Sequence, residues 1–315
     1  MPAAPTPVAS STRPQLGLAA ASCAVVVWGA SAVLIKEVPQ LDGLGIATYR
    51  VLFGAVAVTL AFVASGGRVT LGLLRASLWG GFTFLADLVL FFVAVQKTSV
   101  ANASVIGALQ PLLVLLVANR LFGERARAVE LLWGAVAIVG AVIVVAGGDG
   151  GGANSRAGDL FAVGALVAWT AYFVATKAAR RTLGAFEYLT GMSIVAALAV
   201  LPLPLLAPGT LGGTTAIGWW TIAGITLVNG LLGHFLMGWA HGHVSLLTVS
   251  LLTLAIPVIG AAAAAVFIDE PLTALQVGGM TGVIVALGLV TLSTARRAPD
   301  LVEADLEALE PAPHP

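Results

Sequence analysis

Three side chains that ionise or titrate stand where the surrounding sequence is apolar. Asp87 sits in Phe84-Leu85-Ala86-Asp87-Leu88-Val89 and Arg50 in Tyr49-Arg50-Val51-Leu52. His234 follows Asn229, Gly230 and Gly233 in a third apolar run. Ionisable groups inside an apolar helix are costly, so they face a cavity or a partner. A carboxylate at Asp87 can bind a proton or a substrate amine, or it can form a structural ion pair with Arg50. Arg50 can hold a substrate carboxylate by two parallel hydrogen bonds, snorkel to an interface or serve packing. An amino-acid-like molecule would satisfy both charges. His234 belongs to the residue type that titrates closest to neutrality. It is the second proton-coupling candidate beside Asp87, against the simpler role of a hydrogen-bonded packing residue.

A weaker polar lining is offered by Trp28 and Trp169, both mid-run rather than at an interface, and by Tyr49, Tyr172, Asn102 and Gln110. With Arg50 and Asp87 these are the substrate-binding candidates. Pro111 and Pro257 interrupt apolar runs and each frees a backbone carbonyl, which makes them gating candidates. His241 and His243 form a His-x-His pair with no further ligands at fixed spacing, so an interfacial turn explains them better than a metal site. Cys23 is the one cysteine, which excludes an internal disulfide and a cysteine-based zinc site. Neither a phosphate-binding loop of the Gly-x-x-x-x-Gly-Lys-Ser/Thr type nor His-Glu-x-x-His nor Gly-x-Ser-x-Gly is present. The motifs therefore point away from an enzyme, and no cofactor is implied.

The elements that position these residues follow from composition. The 315-residue chain is 59% hydrophobic and 10% charged, with mean hydropathy +1.01. A soluble domain carries about 25% charge. A bilayer core of about 30 Å needs roughly 20 apolar residues per helix. Ten such runs are legible: 17–36, 44–64, 72–95, 99–119, 128–147, 158–178, 185–206, 216–239, 245–267 and 273–293. They do not alternate as barrel strands do. The fold class is all-α integral membrane. Residues 1–16 read as a disordered tail rich in Pro, Ala, Ser and Thr, and 294–315 as an acidic tail. A net charge of zero argues against a nucleic-acid partner.

The chain also repeats itself. Trp28, Ala30, Val33, Lys36, Gly43, Ala55 and Leu60 recur 141 residues later as Trp169, Ala171, Val174, Lys177, Gly184, Ala196 and Leu201. Ala94, Ser99, Ser104, Pro111 and Glu124 recur 146 residues later as Ala240, Ser245, Ser250, Pro257 and Glu270. Residues 17–147 and 158–293 are thus two five-helix copies joined by a linker over 148–157. With the N-terminus in the cytoplasm, eleven of the fifteen Lys and Arg residues fall on that side. Only Lys36, Lys97 and Arg156 fall on the other, and Arg50 lies within a span. Both termini are expected to be cytoplasmic. Five helices is an odd number, so the second copy starts on the opposite side and the halves are inverted. Such pairs hold substrate near the midplane and alternate access by rocking.

The repeat motifs resemble those of the drug/metabolite transporter superfamily, in particular its ten-helix EamA-like group with two EamA domains. Trp28-Gly29-Ala30-Ser31 with Lys36 is similar to that group's entry motif, and Arg50 matches its second-helix arginine. Gln110-Pro111-Leu112 followed by Gly123-Glu124-Arg125 resembles its fourth helix and turn. Ile256-Pro257-Val258 and Asp269-Glu270-Pro271 are the second copy. Thr170 after Trp169, and Gly191 opposite Arg50, depart from the pattern. The resemblance implies export of small metabolites such as amino acids, their derivatives or drugs. Uptake, or facilitation without ion coupling, fits the same architecture, and a membrane sensor is a remoter reading. The implied partners are a small-molecule substrate, the lipid bilayer and, where a carboxylate titrates, protons; the oligomeric state has no clear sequence signal. In the last helix Gly278, Gly282 and Ala286 form a small-residue stripe suited to close packing.

Overall fold

The computed structural model describes residues 13–31, 41–98, 100–147, 155–206, 211–267, 269 and 271–295. The side chains of residues 95, 96, 100–102 and 206 lie outside that description. Among the described residues, nine helices are long and apolar enough to cross a membrane, and a shorter apolar helix precedes them. The ten spans are α1 (Pro14–Ala30), α2 (Gly43–Ala64), α3 (Leu71–Lys97), α4 (Val100–Gly107 and Gln110–Phe122), α5 (Ala128–Ala146), α6 (Arg156–Ala179), α7 (Ala185–Val200), α8 (Ala216–Ala240), α9 (Leu246–Phe267) and α10 (Ala274–Ala295). The expected ten-helix membrane architecture is therefore present.

Local chemistry explains several of the boundaries. Asp42, Thr70, Ser155, Thr215 and Ser245 each accept a backbone N–H of the first helical turn that follows. Helix α1 begins at Pro14, earlier than residue 17, because proline suits the first helical turn, where its missing N–H is not needed. Gly123 ends α4 with φ of 70°, a left-handed turn that glycine adopts without strain.

Three spans are not the uniform helices the apolar runs predict. Helix α4 breaks at Ala108–Leu109, and Pro111 stands in the first turn of its second piece. Helix α9 tightens into a 3-10 turn over Thr253–Ala255, just before Pro257. Helix α8 widens into a π-helix over Ile225–Gly233, a rare geometry that is frequent at functional sites.

The contacts obey a two-fold exchange of the halves. Helix α3 packs on α6 as α8 packs on α1, α3 on α7 as α8 on α2, and α4 on α6 as α9 on α1. The self-mated pairs α2–α7, α4–α9 and α5–α10 mark the axis. Each half thus completes the other's core, consistent with helix association that depends on close packing rather than on water exclusion. At the α5–α10 contact it is Gly279 and Val283, not Gly278 and Gly282, that face α5. A Cβ at Gly279 would meet the Gly140 carbonyl at 2.8 Å, whereas Gly278 and Gly282 have nothing within 4 Å. The expected stripe is rotated by one residue.

Candidate functional site

Arg50, His234, Tyr172, Trp28 and Phe84 come together between α1, α2, α3, α6 and α8. The Arg50 guanidinium carries only donors, so Nη2 donates to His234 Nε2 at 3.4 Å. The ring proton of His234 is then on Nδ1, which donates to Tyr172 Oη at 2.9 Å. Aromatic rings enclose the imidazole: Phe84 at 4.8 Å, Trp28 at 4.9 Å and Tyr172 at 5.7 Å between centroids. His234 is buried.

The wide turn of α8 builds the opposite wall. Trp28 Nε1 donates to the Asn229 carbonyl at 3.2 Å. The Asn229 amide donates to Ser31 Oγ, which in turn donates to the Trp28 carbonyl at 2.8 Å. Gly233 makes this contact possible, since a Cβ there would lie 2.4 Å from Trp28 Nε1. The π segment therefore both carries His234 and seats the tryptophan.

Asp87 is one helical turn beyond Phe84 on α3, sixteen residues from the start of that helix and ten from its end. Asp87 and Arg50 attract one another through space, but no direct salt bridge joins them among the described residues. The structural ion pair weighed from the sequence is thus replaced by a separated pair with His234 bonded to its positive member. A cavity of about 20 Å³ adjoins the cluster, lined by Arg50, Gly54, Phe84, Ser193, Thr226, Gly230 and His234 among others.

The remaining sequence candidates lie elsewhere or at the margin. Tyr49 Oη donates to the Gly212 carbonyl at 3.1 Å and its ring stands edge-on to Trp219, near the start of α2. Gln110 is fully buried where α4 meets α9, accepting from Ser250 Oγ at 2.7 Å. Trp169 packs edge-on to Phe173 within α6. Asn102 lies on α4 with its side chain outside the described residues. The candidate gates Pro111 and Pro257 open the second pieces of the two interrupted helices. A larger crevice of about 630 Å³ between α3, α4 and α6 has an apolar lining, including the exposed Trp79, Leu116 and Leu121. Its Thr83 and Thr170 hydroxyls are spent on their own helix carbonyls, so it has the character of a lipid-facing groove.

A second polar cluster joins the halves at one end of the bundle. Lys177 Nζ lies 2.6 Å from Glu124 Oε1 and donates to the Val244 carbonyl at 2.7 Å. Glu124 Oε2 accepts the Leu246 N–H at 2.7 Å. The helix N-terminus that Glu124 serves is thus that of α9, in the other half, and not that of α5, which follows it in sequence. Glu270 and Lys36, the repeat counterparts, lie outside the described residues. His241 Nδ1 donates to the Met237 carbonyl and His243 Nδ1 to Trp239. Burial pushes the His241 imidazole down to about 3, so it stays neutral at physiological pH. No group of metal-ligating residues forms among the described residues.

Ten apolar spans, with ionisable side chains buried among them, define a multi-pass membrane protein. The chain belongs to the EamA-like transporter family, whose model matches residues 15–146 and 156–292. It is 27% identical over 285 residues to a protein of Escherichia coli (strain K12) named "Probable amino-acid metabolite efflux pump", covering 84% of this chain and 90% of that one. A Salmonella typhimurium protein of the same name is 27% identical over 289 residues, with the same coverage. A chain solved by crystallography superimposes with TM-score 0.78 at 18% identity, covering 89% of this chain and 98% of its own length, which shows the shared fold. Family and relatives point to a transporter rather than an enzyme.

Proposed function

We propose that the protein exports small metabolites of the amino-acid type across the cell membrane by alternating access. The observation that carries this reading is the convergence of the residues the two halves do not share. Arg50, Asp87 and His234 have Gly191, Gly233 and Leu88 as their repeat counterparts. They gather between helices of both halves, where rocking would expose them to each side in turn. Arg50 takes the substrate carboxylate, Asp87 takes its amine or a proton, and Trp28, Phe84 and Tyr172 supply the walls. His234 accepts from Arg50 and so fixes the guanidinium; in its neutral form it is also the place where a proton would enter the pair. The names of the two bacterial relatives support an amino-acid-like substrate.

The excess of Lys and Arg on one side of the spans supports a cytoplasmic position for both termini. The Glu124–Lys177 cluster then lies on the cytoplasmic face, where it would hold the halves together while the opposite side is accessible. The residues 17–147 and 158–293 are the two moving units. Cells overexpressing the protein are expected to resist toxic levels of one class among amino acids, their analogues and drugs, in a growth screen. Resistance identifies the exported class, and sensitisation would mean import instead.

A further inference from the structure

Arg50 Nε and Thr226 Oγ1 are buried and, among the described residues, have no hydrogen-bond partner. Both residues line the cavity of about 20 Å³ beside His234, with Ser193 as a further hydroxyl on its wall. A guanidinium cannot shed its Nε proton, and two polar groups left unmet inside a protein are costly. The space in front of them is kept open by absent side chains. A Cβ at Gly230 would stand 3.5 Å from Arg50 Nε, and one at Gly54 would stand 3.4 Å from Thr226 Cγ2. The volume suits one oxygen-sized occupant, since a single water needs about 10–15 Å³ on this measure.

We propose that this cavity receives one oxygen of the substrate carboxylate, held between Arg50 Nε–H and the Thr226 hydroxyl, and that Thr226 and Gly230 thereby select acids over their amides. The inference rests on the reading of the cluster as the substrate site. Nη2 stays with His234, so recognition runs through the Nε edge of the guanidinium. A carboxylate oxygen brings a second charge to its bond with Arg50, which an amide oxygen accepting from the same guanidinium does not. A substrate amide that turned its NH2 toward the cavity would set it against the Arg50 Nε–H, which has no lone pair to offer, leaving only the hydroxyls to accept from it.

The test uses the full chain in proteoliposomes loaded with a panel of L-α-amino acids and their carboxamides, with release measured by mass spectrometry and corrected for protein-free vesicles. Wild type is expected to release acids about tenfold faster than matched amides, the scale of one charge-assisted hydrogen bond. Thr226→Val should lower that ratio, because the bound oxygen then keeps Arg50 as its one donor, and Thr226→Ser should restore it. Gly230→Ala puts a methyl group beside Arg50 Nε without removing a donor and should also lower acid release. It keeps the test decisive if Thr226→Val does not accumulate. An unchanged ratio in both Thr226→Val and Gly230→Ala means that the cavity holds water alone, which overturns the proposal and leaves export standing. Equal release of acids and amides by wild type overturns it in the same way. Release of no panel member by wild type sinks both readings.

Discussion

Arg50→Ala is expected to lower substrate release from proteoliposomes by about a hundredfold or more, because it truncates one partner of a buried, hydrogen-bonded charge. Three attachments are lost together. His234 Nε2 loses its donor, the attraction across to Asp87 disappears, and the Nε edge facing the cavity is gone. The helix itself should tolerate the change, since alanine is the strongest helix former. The α2 side chains Val51, Ala55 and Val58 remain buried around the position. Arg50→Lys is expected to rescue little, because an ammonium is not a planar fork and cannot address His234 and the cavity from two edges. Size-exclusion profiles and melting curves in detergent separate the alternatives. A well-folded, inactive variant supports a binding role, whereas an unstable one would make Arg50 a packing residue.

Glu124→Ala should have the second-largest effect, on stability. Its carboxylate joins Lys177 at 2.6 Å and caps the first N–H of α9 at 2.7 Å, so one truncation strands a cation and a helix donor. Removing one partner of a fully buried pair costs about 3–5 kcal/mol. The side chains here are 15% and 19% exposed, which reduces the expected loss to about 2–3 kcal/mol. Lys177→Met should cost a similar amount, and the double variant less than the sum, as residues in one network are not additive. Thermal melts of the four proteins in one detergent read this directly. Additive losses would show that Glu124 and Lys177 act separately.

The sequence made the spans, the two matched copies and the out-of-place charges legible, for physical reasons. Apolar runs must be helical in lipid, and a repeated pattern of five such runs marks the two copies. Asp87, Arg50 and His234 stand out because charge in such runs is costly. What joins them was not legible. The bond between Arg50 and His234 spans 184 positions and depends on how α2 meets α8, which packing decides. The π-helix around Asn229 has no composition of its own, although Gly230 and Gly233 flagged the region. Thr226 passed unnoticed because threonines in apolar helices usually bond their own backbone, as Thr48, Thr170 and Thr190 do. Thr226 has no such bond, and that is visible only in three dimensions. Gln110 and Tyr49 read as equally polar, yet the first ties α4 to α9 and the second closes the end of α2. Glu124 stands in sequence just before α5, and the fold instead sets its carboxylate against the first N–H of α9 in the other half.

Asp87→Asn in proteoliposomes under an imposed pH gradient tests the central claim, that the unshared charges bind substrate and ion. The substitution keeps the shape of the side chain and removes its ability to ionise. Wild type should release substrate faster when the outer solution is made acidic. Asp87→Asn should show slow release that does not respond to the gradient. Equal release and an equal response in the two proteins would contradict the account.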